Sequence, residues 1–146
     1  MNAALPALLD RLVSWLPTLP GWSKVVVYDG PTLTRDAPVD FVTVGFVDGE
    51  DFGGTFEPGE SLGDFWDESG TVRSEIVSQT GDDDIAGCRA RVFALFNAWQ
   101  AAQQADQTLG GVVASSRLSA DLQPVQNTGG SAVRLAVTLT YTARGL

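Results

Sequence analysis

The chain has 146 residues, with 18 Asp plus Glu against 9 Lys plus Arg, a formal net charge of -9, no His and one Cys. Those counts exclude an imidazole base, a Ser-His-Asp triad, a Cys-His dyad, a His-ligated metal, an internal disulfide and a Cys-rich zinc site. A sequence pI near 4.2 argues against a nucleic-acid binder, whose phosphate affinity comes from Lys and Arg.

A single domain over residues 1–146 is the natural reading of this length. The first expected element is an amphipathic helix from about Ala3 to Leu16, with Leu5, Leu8, Leu9, Leu12, Val13 and Leu16 at helical spacing. Pro6 suits its first turn, and Pro17 and Pro20-Gly21 end it. This segment lacks a basic n-region and is interrupted by Asp10 and Arg11, so it reads as a helix of the fold and not as a signal peptide, with a cytoplasmic site of synthesis. No stretch reaches the roughly 20 apolar residues needed to span a bilayer, so no membrane partner is expected.

Lys24 to Tyr28 predicts a short strand closed by the Asp29-Gly30-Pro31 turn. Val39 to Val47 predicts a second strand, apolar on both sides and therefore central and covered on both faces. Asp48 to Gly70, rich in Gly, reads as the least regular region, and Thr71 to Thr80 as a third strand. Gly81-Asp82-Asp83-Asp84 opens the longest helix, to about Asp106, where carboxylates suit the N-cap and the positive end of the helix dipole. Its apolar stripe is Ile85, Cys88, Val92, Phe96, Trp99 and Ala102, widened by Leu95, with Gln100, Gln103 and Gln104 placed largely off it. Val112 to Gln126 and Ser131 to Ala143 then form a hairpin across Asn127-Thr128-Gly129-Gly130. The fold class is α+β: a mostly antiparallel sheet with two helices packed on it, ending in a long hairpin.

Motifs that could carry chemistry each meet a plainer explanation. Gly59-Glu60-Ser61-Leu62-Gly63 matches G-x-S-x-G, a nucleophile elbow that requires a strand-to-helix turn and a base. Lys24, the only Lys, is the one conceivable ammonium base, so a small hydrolase using Ser61 is the alternative from a different class. Asp82-Asp83-Asp84 lacks the alternate oxygen spacing of a calcium loop and suits helix capping. Cys88 falls on the apolar stripe and reads as a small core residue with no basic neighbour on that face. No catalytic, metal or cofactor site is expected.

The charge distribution is more informative. Ten acidic residues and no Lys or Arg lie between Asp36 and Val72, eight of them between Asp48 and Glu68. Phe52, Phe56, Phe65 and Trp66 are interleaved with these carboxylates, so part of the segment is folded onto the sheet or ordered by a partner. These four are the candidate interface residues. The final strand, long, flat in pattern and free of Pro and Lys, is read as an exposed sheet edge that a regular subunit contact would cover.

Taken together, the Leu-rich opening helix, the Asp29-Gly30-Pro31 turn, the DAPVDFVTVGF strand (36–46), the DESGTVRSEIVSQTGDDD run (67–84), the IAGCRARVFALFNAW helix and the closing GGSAVRLAVTLTYTARG strand (129–145) resemble the tail terminator proteins of long-tailed, non-contractile bacteriophages, particularly those of actinobacteria. The resemblance implies a virion structural protein at the tail–head junction, present in the host cytoplasm during assembly. It implies a homo-oligomeric ring, typically a hexamer, that caps the tail tube protein, halts its polymerisation and meets a head-completion or connector protein. Another head–tail connector is the nearest alternative. DNA passes through such a ring without specific binding. An acidic lumen would repel its phosphates, with Asp48, Glu50, Asp51, Glu57 and Glu60 as the candidate lumen residues.

Overall fold

The computed structural model describes residues 3–31, 39–62, 65–123 and 130–145, with 60–62, 65, 66 and 145 as backbone only. Among them lie α1 (Leu5–Trp15) with a 3-10 turn at Leu16–Thr18, β1 (Val26–Asp29), β2 (Asp40–Val44), β3 (Gly54–Leu62), β4 (Phe65–Thr80), α2 (Ile85–Ala105), β5 (Ser115–Leu122) and β6 (Ser131–Gly145). The expected turn at Asn127-Thr128-Gly129, and Asp36 at the start of the expected DAPVDFVTVGF strand, fall outside the described residues.

One sheet holds all six strands in the order β1-β2-β4-β6-β5, with β3 also paired to β4. Only β1 and β2 are parallel; every other pairing is antiparallel. The architecture is therefore α+β, a mostly antiparallel sheet with two helices packed on it and a β5–β6 hairpin at the end. The long β4 serves two neighbours along one side. Ser74–Ser78 pairs with β2, and Phe65–Val72 pairs with β3, so β2 and β3 lie end to end. Its other side pairs with β6 without a break from Trp66↔Gly145 to Thr80↔Ser131.

The registers place Val27, Val42, Val72, Ile76 and the alternating run Val133, Leu135, Val137, Leu139 and Tyr141 on one face. These form a single core with Leu8, Leu12 and Leu16 of α1 and Cys88, Val92, Leu95, Phe96 and Trp99 of α2, so both helices cover that face. Trp22 and Trp99 meet edge to face at 6.2 Å, and the Trp22 indole N–H donates to the Leu95 carbonyl. Asp84 caps α2, accepting from the Gly87 N–H at 3.0 Å, while Asp82 accepts from the Thr80 hydroxyl and the Asp84 N–H. Asp82 and Asp84 thus do local turn and cap chemistry.

Four sequence expectations need correction. The segment 48–70 is not irregular from Gly54 onward: it is β3 and the first residues of β4. The final strand is not an edge, since β6 lies between β4 and β5; the edge on that side belongs to β5. Gln103 is on the buried side of α2, 2% exposed, where it accepts from the Trp99 indole N–H at 3.2 Å and donates to Ser116 Oγ. Cys88 does have a basic neighbour, Arg91, whose Nη2 lies 3.4 Å from its sulfur. No helix among the described residues is long and apolar enough to cross a membrane.

Truncating Gln103 orphans the buried Trp99 indole N–H, removes a donor to Ser116 Oγ and opens a cavity. We expect Gln103→Ala to cost about 2–3 kcal/mol of unfolding free energy in urea titration. A cost within about 0.5 kcal/mol, the ordinary range of a surface substitution, would show that the network is not structural.

Candidate assembly surface

The helix-free face of the sheet is not bare. Phe41, Thr43, Glu75, Val77 and Ala136 point to that side by register and are all buried. The loop that follows β2 folds back across them. The Thr43 hydroxyl donates to the Phe46 carbonyl, Val47 is buried, and Arg73 N–H donates to the Gly53 carbonyl at 2.7 Å. Gly53 makes this return possible: a Cβ there would stand 1.8 Å from the Gly45 carbonyl oxygen.

Ion pairs fasten the same loop. Arg73 holds both carboxylate oxygens of Glu50 and also reaches the Thr138 hydroxyl. Hydrogen bonding from Arg73 holds the Glu50 carboxyl below, and the Arg73 guanidinium above, their usual pKa values. Glu75, 2% exposed, accepts from Arg134 at 2.6 Å and from the Asp48 backbone N–H. Burial nevertheless raises its pKa, and the Asp48 charge adds to that against the pull of Arg134. The acidic run has no base within it, yet Arg73 and Arg144 reach it from neighbouring strands, Arg144 at 3.3 Å from Asp67. The alternation of TVRSEIVSQT already put Arg73 and Glu75 on one face; what it lacked was the loop that meets them.

The candidate lumen carboxylates separate in this geometry. Asp48, Asp51 and Glu57 are exposed, and their carboxylates have no ion-pair partner among the described residues. Glu50 belongs to the Arg73 pair, and the side chain of Glu60 lies outside the described residues. Glu68, also in the run, is buried at 1% exposure. Its carboxylate accepts from the Ala4 backbone N–H at 2.8 Å and from the Tyr141 hydroxyl at 2.6 Å, tying the start of α1 to β4 and β6. Burial, reinforced by the Glu68 contact, pushes the Tyr141 phenol far above its ordinary value.

Two of the four candidate interface aromatics are placed at the surface. Phe52, in the loop before β3, is 69% exposed and Phe56, on β3, is 50% exposed. Phe56 lies opposite Gly70, where a Cβ would stand 2.1 Å from the Thr55 carbonyl oxygen and 2.9 Å from the Tyr141 hydroxyl. Phe65 and Trp66 open β4; their side chains lie outside the described residues. Nearby, Gly59, Asp67, Ala114, Ala143 and Arg144 line an open groove of about 470 Å³.

Ser61 lies within β3, opposite Trp66 across a hairpin, so the Gly59–Gly63 pattern is not on a strand-to-helix elbow. Among the described residues no group of three or more acidic or Cys side chains is arranged to hold a metal. The chain matches no protein-family model and no curated protein sequence.

The two glutamates on the helix-free face respond to acid with opposite signs. Glu50 has a lowered folded pKa, so its stabilisation is present above its unfolded value and is lost as pH falls through the folded one. Glu75 has a raised folded pKa, so its cost is present at neutral pH and is relieved on acidification. We expect Glu50→Gln to flatten the loss of stability between about pH 6 and about pH 3 by about 0.5 kcal/mol, after discounting for solvent screening. Glu75→Gln should steepen the same loss. Thermal melts at the two pH values check both signs.

Proposed function

We propose that this chain is a virion structural protein of the tail-terminator kind: a ring-forming subunit that caps a tail tube, stops its growth and joins the tail to head-completion proteins. The observation that carries this reading is the exposure of Phe52 and Phe56 close in sequence to Asp48, Asp51 and Glu57, whose carboxylates have no ion-pair partner among the described residues. Large apolar side chains held at the surface by an ordered loop and strand favour a protein contact. The adjoining carboxylates supply the negative field that would keep DNA phosphate from adhering to a lumen. The resemblance of the order of helices and strands to tail terminators supplies the particular assembly. A neighbouring ring subunit, the tube protein and a connector protein are the partners in this reading.

The test is to add the purified chain to a polymerising tail tube protein from the genome that encodes it and measure tube lengths by electron microscopy. Wild-type chain should give capped, shorter tubes. The Phe52→Ser/Phe56→Ser double variant should lose capping while its unfolding free energy stays within about 0.5 kcal/mol per site of wild type, as surface substitutions do. Unchanged tube growth with the wild-type chain would sink the terminator reading. Capping that survives in the double variant would move the tube contact away from these aromatics. A connector of the head side would bind without shortening tubes.

A further inference from the structure

Among the described residues β5 is the edge strand beside β6, as β1 and β3 are edges elsewhere in the sheet, and it has the features of a self-recognition strand. Its eight residues, SSRLSADL, contain no Pro, no Lys and no bulge, the devices that usually blunt an exposed edge. The Gln123 N–H donates to the Arg134 carbonyl at 2.9 Å, which fixes the phase of the β5–β6 ladder. In an antiparallel pair the inward and outward backbone groups alternate. The N–H and C=O groups of Ser119 and Asp121 therefore face β6, and those of Leu118, Ala120 and Leu122 point away from the sheet.

The side chains alternate in the same way. Arg117 and Asp121 lie on the helix-free face, opposite Thr140 and Ala136. Arg117 is exposed and has no ion-pair partner among the described residues. The Asp121 side chain is 76% exposed, with Arg73 at 4.0 Å as its nearest base. Leu118, Ala120 and Leu122 lie on the helix side, and Leu122 is 48% exposed.

We propose that β5 pairs antiparallel with β5 of a second copy of this chain about a two-fold axis at Ser119. The register follows from the pattern. Leu118 of one copy faces Ala120 of the other, and these residues carry the outward backbone groups, so they form the hydrogen-bonded pairs. Arg117 then stands opposite Asp121 in the non-hydrogen-bonded pairs, where side chains approach most closely. The axis makes the match twice. Exposed Leu122 meets Ser116, and its apolar surface is shielded from water.

The helices leave room for this contact. α2 lies over β4, β6 and β5. Two β6 strands would be three strand spacings apart, about 14 Å. Helices in direct contact pack at about 8–10 Å, so the two α2 helices would face each other across a gap. Gln100, Gln104 and Gln107 line the groove between α2 and β5, so the residues bordering that gap are polar. A ring closes through head-to-tail contacts, which a two-fold pairing does not supply, so the pairing is a state of the free chain that mass and symmetry distinguish from the proposed ring.

The test is sedimentation-equilibrium measurement of the full chain by analytical ultracentrifugation, with circular dichroism to check folding of each variant. Wild type should approach twice the 15.4 kDa chain mass as concentration rises. Arg117→Asp turns both attractive pairs repulsive and should weaken dimerisation roughly tenfold or more. The double exchange Arg117→Asp/Asp121→Arg keeps the pattern complementary and should restore it to within about threefold. Ala120→Pro removes an outward N–H without touching the β6 ladder, and should abolish pairing. A chain that stays monomeric up to about 1 mM would overturn the inference. So would a dimer insensitive to Arg117→Asp, or rescue that fails in a double variant that folds. A six-fold particle indifferent to these substitutions would support the ring and overturn the two-fold pairing.

Discussion

The uninterrupted ladder between β4 and β6 is the constraint on which the rest of the molecule depends. It runs from Trp66↔Gly145 to Thr80↔Ser131 in one register. Because side chains alternate strictly along it, one choice of register sends Val72, Ile76 and the odd-numbered residues from Val133 to Tyr141 to the helices, and Arg73, Glu75, Arg134 and Thr138 to the other side. A slip by one residue would bury Arg134 under α2 and expose the core. Everything else attaches to this spine: β2 and β3 share one side of β4, and β5 closes the far side of β6.

The two faces of the spine are held by different physics. The helix side is apolar, with Trp22, Trp99 and the Leu residues of α1 packed together, and the indole and amide groups of Trp22, Trp99 and Gln103 within it are bonded. The other side relies on a returning loop and on charge pairs, Arg73 with Glu50 and Arg134 with Glu75. Such pairs contribute modestly when solvated and are screened by salt. Their value here is geometric: they hold the loop that carries Phe52.

Legibility in the sequence followed periodicity. α1, α2 and the β6 alternation were readable because their apolar residues recur at one period for many residues, and Asp84 announced its cap. The β3–β4 hairpin was not, because Gly53, Gly54, Gly59 and Gly70 break the alternation. At Gly53 and Gly70 the reason is backbone approach: side chains there would collide with the Gly45 and Thr55 carbonyls. A residue demanded by close packing looks, in sequence, like a residue demanded by a loop. Gln103 hid for a different reason, since an amide satisfied by Trp99 and Ser116 has no apolar signature. Of the candidate surface, the exposed Phe residues and the acidic bias were visible, whereas the pairing of Glu50 and the burial of Glu68 needed strands distant in sequence.

The bond from the Ala4 amide to Glu68 has a topological consequence. Glu68 is the cross-strand partner of Ala143, so the first and last described stretches of the chain emerge at one pole of the molecule. Phe56 stands at that pole too, while the Gly81–Asp84 turn lies at the opposite end of a strand about 50 Å long. A fluorescent protein or purification handle joined through either of these stretches would therefore share space with the exposed Phe56. A short linker between the two stretches, with new ends opened at the Gly81 turn, would give a permuted chain whose handles leave that pole clear.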